Sequence, residues 1–79
     1  MTIEIITPES ILFSGETTMV RVPGSLGSFQ ILNNHAPIVS TLDKGIVTVR
    51  TKDGSEQNFD IDNGLVECEK NKITILIEK

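Results

Sequence analysis

The single histidine of this 79-residue chain, His35, stands between Asn34 and Ala36. Imidazole is the side chain best suited to move a proton near neutral pH, but catalysis needs a nucleophile or an orienting carboxylate converging on it. The near neighbours Asn33, Asn34, Ala36 and Pro37 supply neither. Pro37 pushes Ala36 out of the helical region, so the segment leaves its turn extended. His35 therefore reads as a loop residue at a surface or interface. Cys68 is the only cysteine, which excludes an internal disulfide and a multi-cysteine zinc site. Its neighbours Glu67 and Glu69 would raise a thiol pKa, which argues against a nucleophile and for a small core residue. Asp60-Ile61-Asp62-Asn63-Gly64 begins like a calcium loop, but that loop needs Gly at its sixth position and Glu at its twelfth. Here Gly64 is fifth and Asn71 twelfth. Pro23-Gly24-Ser25-Leu26-Gly27-Ser28 lacks the Gly-Lys-Ser/Thr ending of a phosphate loop, and no helix follows to aim its N-terminus at an anion. No catalytic, cofactor-binding or metal-ligating residue is assigned from these patterns.

Charge and composition narrow the partners. Seven Lys plus Arg face eleven Asp plus Glu, a formal net charge of −4. Phosphate binding is driven by cations displacing counterions, and the cations here are outnumbered and scattered. Only Phe13, Phe29 and Phe59 could stack on bases, so nucleic acid is not an expected partner. No apolar run exceeds three residues, far short of the roughly 18 a membrane span needs, and no lipid insertion is expected. The start, Met1-Thr2-Ile3-Glu4, lacks the basic and apolar regions of a signal peptide. The expectation is a soluble intracellular domain. Its length allows one domain over residues 1–79 and too small a core for a large substrate cavity.

The elements that must position these residues are strands. There are eleven Ile, six Val and eight Thr, against one Ala. β-Branched side chains suit a pleated surface, and Ala is the best helix former. Strict alternation recurs: Ile3 and Ile5, Val47 and Val49, Phe59 and Ile61, and Ile73, Ile75 and Ile77 each point one way. These patterns predict strands near 2–6, 11–14, 17–22, 28–32, 37–42, 46–51, 56–61, 65–69 and 72–77. Turn signals fall between them, among them Asp53-Gly54 and Lys70-Asn71. Asn63-Gly64 is the strongest, because a two-residue type I′ turn needs positive φ at both centres. Many short strands with such turns describe an all-β fold, a flattened antiparallel β-sandwich or barrel of about 8–10 short strands.

Lys44 carries a second reading. Lipoyl and biotinyl carrier domains are all-β sandwiches of similar size that present a modified lysine at a mid-chain hairpin tip. Asp43-Lys44-Gly45 resembles that tip, although the residue after a carrier lysine usually has a side chain. The plain alternative is a turn in which Asp43 caps and Gly45 supplies positive φ.

Taken in order, the turns carry a broader resemblance. Thr7-Pro8-Glu9, Leu12-Phe13-Ser14-Gly15-Glu16, Val22-Pro23-Gly24, Gly27-x-Phe29-x-Ile31-Leu32, His35-Ala36-Pro37, Leu42-x-Lys44-Gly45, Asn63-Gly64, Val66-Glu67 and Asn71-Lys72-Ile73-Thr74-Ile75-Leu76 run along almost the whole chain. At these mutual spacings the chain resembles the N-terminal β-sandwich domain of the epsilon subunit of F-type ATP synthase, called delta in mitochondria.

The resemblance implies a non-catalytic central-stalk (rotor) subunit without cofactor. Its partners would be the gamma subunit and the c-ring of the membrane sector, with the alpha/beta head indirect. Its place would be the cytoplasmic side of the cell inner membrane, peripheral through the complex. By position, the resemblance implies contact loops at Gly27–Phe29 and at His35-Ala36-Pro37, with Ser28 facing the ring and Thr7, His35 and Ser40 near gamma. Many relatives carry an acid where Ser28 stands and Gly where Asn34 stands, so Ser28 would act by hydrogen bonding and shape. Many also continue into two C-terminal helices that inhibit hydrolysis and in some cases bind ATP. The last residue here, Lys79, follows directly on the final predicted strand, and the expectation is a short form without that hairpin.

Overall fold

A computed structural model describes residues 1–78. Nine strands follow in order: β1 Thr2–Ile6, β2 Ile11–Glu16, β3 Met19–Val22, β4 Phe29–Leu32, β5 Ile38–Leu42, β6 Gly45–Arg50, β7 Glu56–Ile61, β8 Asn63–Glu69 and β9 Lys72–Glu78. Each coincides with a predicted strand to within three residues at either end. They form two sheets, ordered β2-β1-β9-β8-β5 and β4-β3-β6-β7, packed as a sandwich. One pairing departs from the antiparallel expectation. The first strand, β1, lies parallel to the last, β9, with Ile3 beside Ile73 and Ile5 beside Ile75. That pairing brings together segments about seventy residues apart, a choice of partner that local alternation cannot encode.

The core follows the alternation. Ile3, Ile5, Val66, Cys68, Ile73, Ile75 and Ile77 from the larger sheet meet Val20, Val22, Ile31, Val47, Val49 and Ile61 from the smaller. Each is a branched or small side chain on an inward pleat, where burial removes apolar surface from water. Cys68 is buried as expected, and its thiol pKa is raised as expected, but not by the neighbouring acids. Burial pushes its thiol pKa up, while Glu67 and Glu69 are exposed on the opposite pleat. Phe13 and Phe59 meet edge to face across the two sheets, with ring centroids 5.9 Å apart. The rings weighed as base-stacking surfaces thus serve packing.

The turns correct three sequence expectations. Asn63 and Gly64 are not a hairpin tip. They open β8, pair with Glu78 and Ile77, and neither has positive φ. Gly64 is needed because a Cβ there would stand 2.6 Å from the carbonyl oxygen of Leu76. The type I′ geometry belongs instead to Lys70 and Asn71, at φ 52° and 62°, between the paired Glu69 and Lys72. The expected Asp53-Gly54 hairpin is present, with Gly54 at φ 87° and Thr51 N–H donating to Ser55 O at 2.9 Å. Gly45 supplies no positive φ; a Cβ there would meet Pro23 Cβ at 2.8 Å. Lys44 lies between β5 of one sheet and β6 of the other. It is on an inter-sheet crossover rather than the hairpin tip that a carrier lysine occupies.

Candidate interaction site

The β3–β4 connection is built from a close approach. A Cβ on Gly24 would stand 2.7 Å from the Phe29 ring and 2.7 Å from Gly27 O. Only glycine lets the chain fold back over Phe29 here. Gly27 N–H closes on Gly24 O at 2.9 Å, and Gly27 takes φ 130°. The loop is then pinned to β5. Thr41 Oγ1 donates to Ser25 Oγ at 2.8 Å, and Ser25 Oγ donates to Asp43 Oδ1 at 2.9 Å. Ser25 N–H donates to Thr41 O at 3.0 Å.

Between the pinned loop and β5 runs an open groove of about 470 Å³. It is lined by Gly24, Leu26, Gly27, Ser28, Phe29, Ile38, Val39 and Ser40. Four of the six residues singled out by resemblance, Gly27, Ser28, Phe29 and Ser40, therefore line one feature. His35 lies nearby, on the short connection that leads from β4 into β5. Its ring is half-buried, with Nδ1 2.7 Å from Ala36 O. A carbonyl only accepts, so Nδ1 carries the proton in that bond. The connection is held from below by Asn71, which accepts from Asn34 N–H at 2.7 Å and donates to Asn33 Oδ1 at 2.8 Å. Asn34 takes φ 64°, a conformation that Asn tolerates well.

Thr7 is apart from this group. It closes the β1–β2 turn, where its Oγ1 accepts from Glu9 and Ser10 N–H at 3.2 and 3.0 Å. Strand β1 lies three strand spacings from β5 in the larger sheet, roughly 14 Å. Two residues that sequence reasoning missed dominate the groove. Leu26 is fully exposed at the loop tip, and Val39 is 64% exposed on β5. The available signal was a lone leucine amid Gly and Ser residues.

Among the described residues no three His, Cys, Asp or Glu side chains come together, and His35 has a backbone carbonyl as its partner. The groove offers apolar walls and exposed backbone, which is the chemistry of protein contact.

Comparison with known proteins assigns the chain. The family profile described as "ATP synthase, Delta/Epsilon chain, beta-sandwich domain" matches residues 1–79. The chain belongs to this family. It is 42% identical over 76 residues to an ATP synthase epsilon chain of Chlorobium limicola, covering 96% of this chain and 86% of that one. Against the epsilon chain of Campylobacter fetus it is 41% identical over 76 residues, again 96% of this chain but 59% of the relative's length. The fold also recurs in a chain of a Euglena gracilis mitochondrial ATP synthase structure. The match there has a TM-score of 0.91 at 16% identity, covering 98% of this chain and 49% of that one; this likeness concerns the fold.

Proposed function

We propose that this chain is a non-catalytic rotor part of an F-type ATP synthase. In this reading the sandwich sits in the central stalk between the gamma subunit and the c-ring, with the alpha/beta head an indirect partner. It helps couple ion translocation to ATP synthesis, on the cytoplasmic face of the membrane that holds the complex. The observation that carries the reading is the family match along residues 1–79. The geometry supports it: the work requires a stiff body with adhesive surfaces, and a sandwich tied along nine strands meets that need. Residues 1–79 act in this reading as one domain. Its contact residues are Gly27, Ser28, Phe29 and Ser40 at the groove, His35 beside it, and Thr7 on the far side of the same sheet.

A native pull-down from the host cell tests this, with mass spectrometry of bait and partners. Recovery of gamma, alpha and beta subunits with an unmodified bait is the expected result. A lipoyl or biotinyl mass on Lys44, or recovery without those subunits, would overturn it. Contacts can be mapped with single cysteines at Ser28, His35, Ser40 and Thr7. Cys68 is buried and its thiol pKa raised, so it contributes little background cross-linking.

A further inference from the structure

Of the five asparagines, only Asn63 is followed by glycine. That order carries a chemistry of its own. The backbone nitrogen after an asparagine can attack the side-chain amide carbon, and glycine, without a side chain, leaves the attack unhindered. The Gly64 nitrogen bonds to Asn63 Cγ, Nδ2 leaves as ammonia with the Gly64 amide proton, and a five-membered imide forms. Water then opens the imide at either carbonyl, giving aspartate or isoaspartate. Water is the only co-reactant.

The fold withholds both things the attack needs. The first is a free nitrogen. Around the Gly24–Leu42 bridge, Ser25 N–H donates to Thr41 O at 3.0 Å and Asp43 N–H to Pro23 O at 2.9 Å. Backbone groups alternate sides along a strand, so those of Leu42, between Thr41 and Asp43, face β8. Leu42 pairs with Gly64 there, and Leu42 O engages the Gly64 N–H. The second need is rotation of the Asn63 peptide unit towards its own side chain. Asn63 pairs with Glu78 on β9, Asp62 N–H donates to Glu78 O at 3.1 Å, and β8 runs extended through both residues.

The hold is local. Strand β5 ends at Leu42, β8 begins at Asn63 and β9 ends at Glu78, so three strand ends meet at one corner of the larger sheet. Asn63 is exposed there. Strand ends open more readily than the core. Ser25 Oγ helps to keep β5 in place, donating to Asp43 Oδ1 and accepting from Thr41 Oγ1.

We propose that Asn63-Gly64 is a deamidation site, closed by this corner and opened when the end of β5 lifts from β8. Either product makes the opening lasting. Aspartate puts a carboxylate opposite Glu78 and next to Asp62, and like charges directly opposite disfavour pairing. Isoaspartate adds a methylene to the backbone of β8, ahead of the inward-facing Val66 and Cys68, and disturbs the register on which their burial depends. The inference stands on β8 and its neighbours and does not use the stalk reading.

Peptide mapping by mass spectrometry tests it, on the full chain incubated at neutral pH with and without urea. In urea Asn63 should convert before the other four asparagines. In the folded chain its conversion should be slower by on the order of 100-fold. Ser25→Ala removes a surface tie of β5 and should speed conversion in the folded chain about fivefold. Thr48→Val, in the smaller sheet, should leave that rate unchanged. Equal rates with and without urea would overturn the proposal. So would equal acceleration by the two variants, because the gate would then be unfolding of the whole chain.

Discussion

On the outer side of the five-stranded sheet, Ile11, Ile6, Leu76 and Leu65 occupy matching positions across β2, β1, β9 and β8. Ile11, Leu76 and Leu65 are exposed. On the outer side of the four-stranded sheet the corresponding row is Gln30, Arg21, Thr48 and Asn58 across β4, β3, β6 and β7. There Thr48 Oγ1 donates to Asn58 Oδ1 at 2.8 Å. One pleat further, Arg50 grips Glu56 with Nε and Nη2 on the same carboxylate oxygen, at 3.0 and 2.7 Å. Along this row the smaller sheet joins its outer side chains by hydrogen bonds, and its exposed apolar side chains, Leu32 and Ile46, stand apart from the row. The larger sheet leaves a band of apolar carbon, the kind of surface that buries when a partner arrives. Under the proposed stalk role both kinds are needed, one to face water and one to adhere.

The contrast can be broken hardest inside the larger sheet. Gly64→Ala places a methyl 2.6 Å from the Leu76 backbone oxygen, so β8 and β9 must separate. Overpacking of this kind costs about 1–3 kcal/mol, read as a lower denaturant midpoint. Gly15→Ala on the edge strand β2 is the matched control. Its methyl would touch only the Phe13 ring at 4.0 Å, and stability should stay within about 0.5 kcal/mol of the parent. Equal losses at both glycines would mean that the close β8–β9 approach contributes nothing special.

The two outer rows can be set against each other directly. Thr48 is 6% exposed, so Thr48→Val removes a shielded hydrogen bond and should cost about 0.5–1.5 kcal/mol in thermal or chemical unfolding. Leu65→Ser in the apolar row removes surface already in contact with water. Stability there should change by no more than about 0.5 kcal/mol. A larger loss at Leu65 than at Thr48 would reverse the comparison and make the apolar row part of the fold's own support.

Much of this was legible in the sequence because alternation is a local signal. Ile73, Ile75 and Ile77 define the inward face of β9 without any knowledge of what β9 pairs with. What could not be read is long-range. The parallel partnership of β1 and β9 depends on how two distant strands meet. The shielding of Thr48 depends on its neighbours Arg21 on β3 and Asn58 on β7, so its outward pleat was predictable and its burial was not. Asn63-Gly64 carries the composition of a type I′ turn, yet the tight approach of Leu76 claims the glycine for the strand. At the groove, the Gly-Ser bend was visible, but the exposure of Leu26 and Val39 follows from where β5 ends up in the sheet.

The smallest expected effect separates one β-hairpin of each sheet, β8–β9 in the larger and β6–β7 in the smaller. The β8–β9 turn is shaped by backbone, with positive φ at Lys70 and Asn71. The β6–β7 turn is shaped by a carboxylate. Asp53 Oδ1 accepts from Thr51 Oγ1 at 2.6 Å, Ser55 Oγ at 2.7 Å and Ser55 N–H at 3.0 Å. The Thr51 and Ser55 hydroxyls, followed by the Ser55 amide, hold the Asp53 pKa down to about 2, from 3.8. A carboxyl whose folded pKa lies below its unfolded value stabilises the fold above the unfolded pKa. That contribution is lost as pH falls through the folded one. Stability at neutral pH therefore includes the Asp53 contribution, which fades between about pH 4 and pH 2. Asp53→Asn should flatten the pH dependence of unfolding in that window and leave it unchanged between pH 5 and pH 8. A carboxyl titration of Asp53 by NMR with its midpoint near 4 would show that the smaller sheet's side-chain bonding stops short of its hairpin.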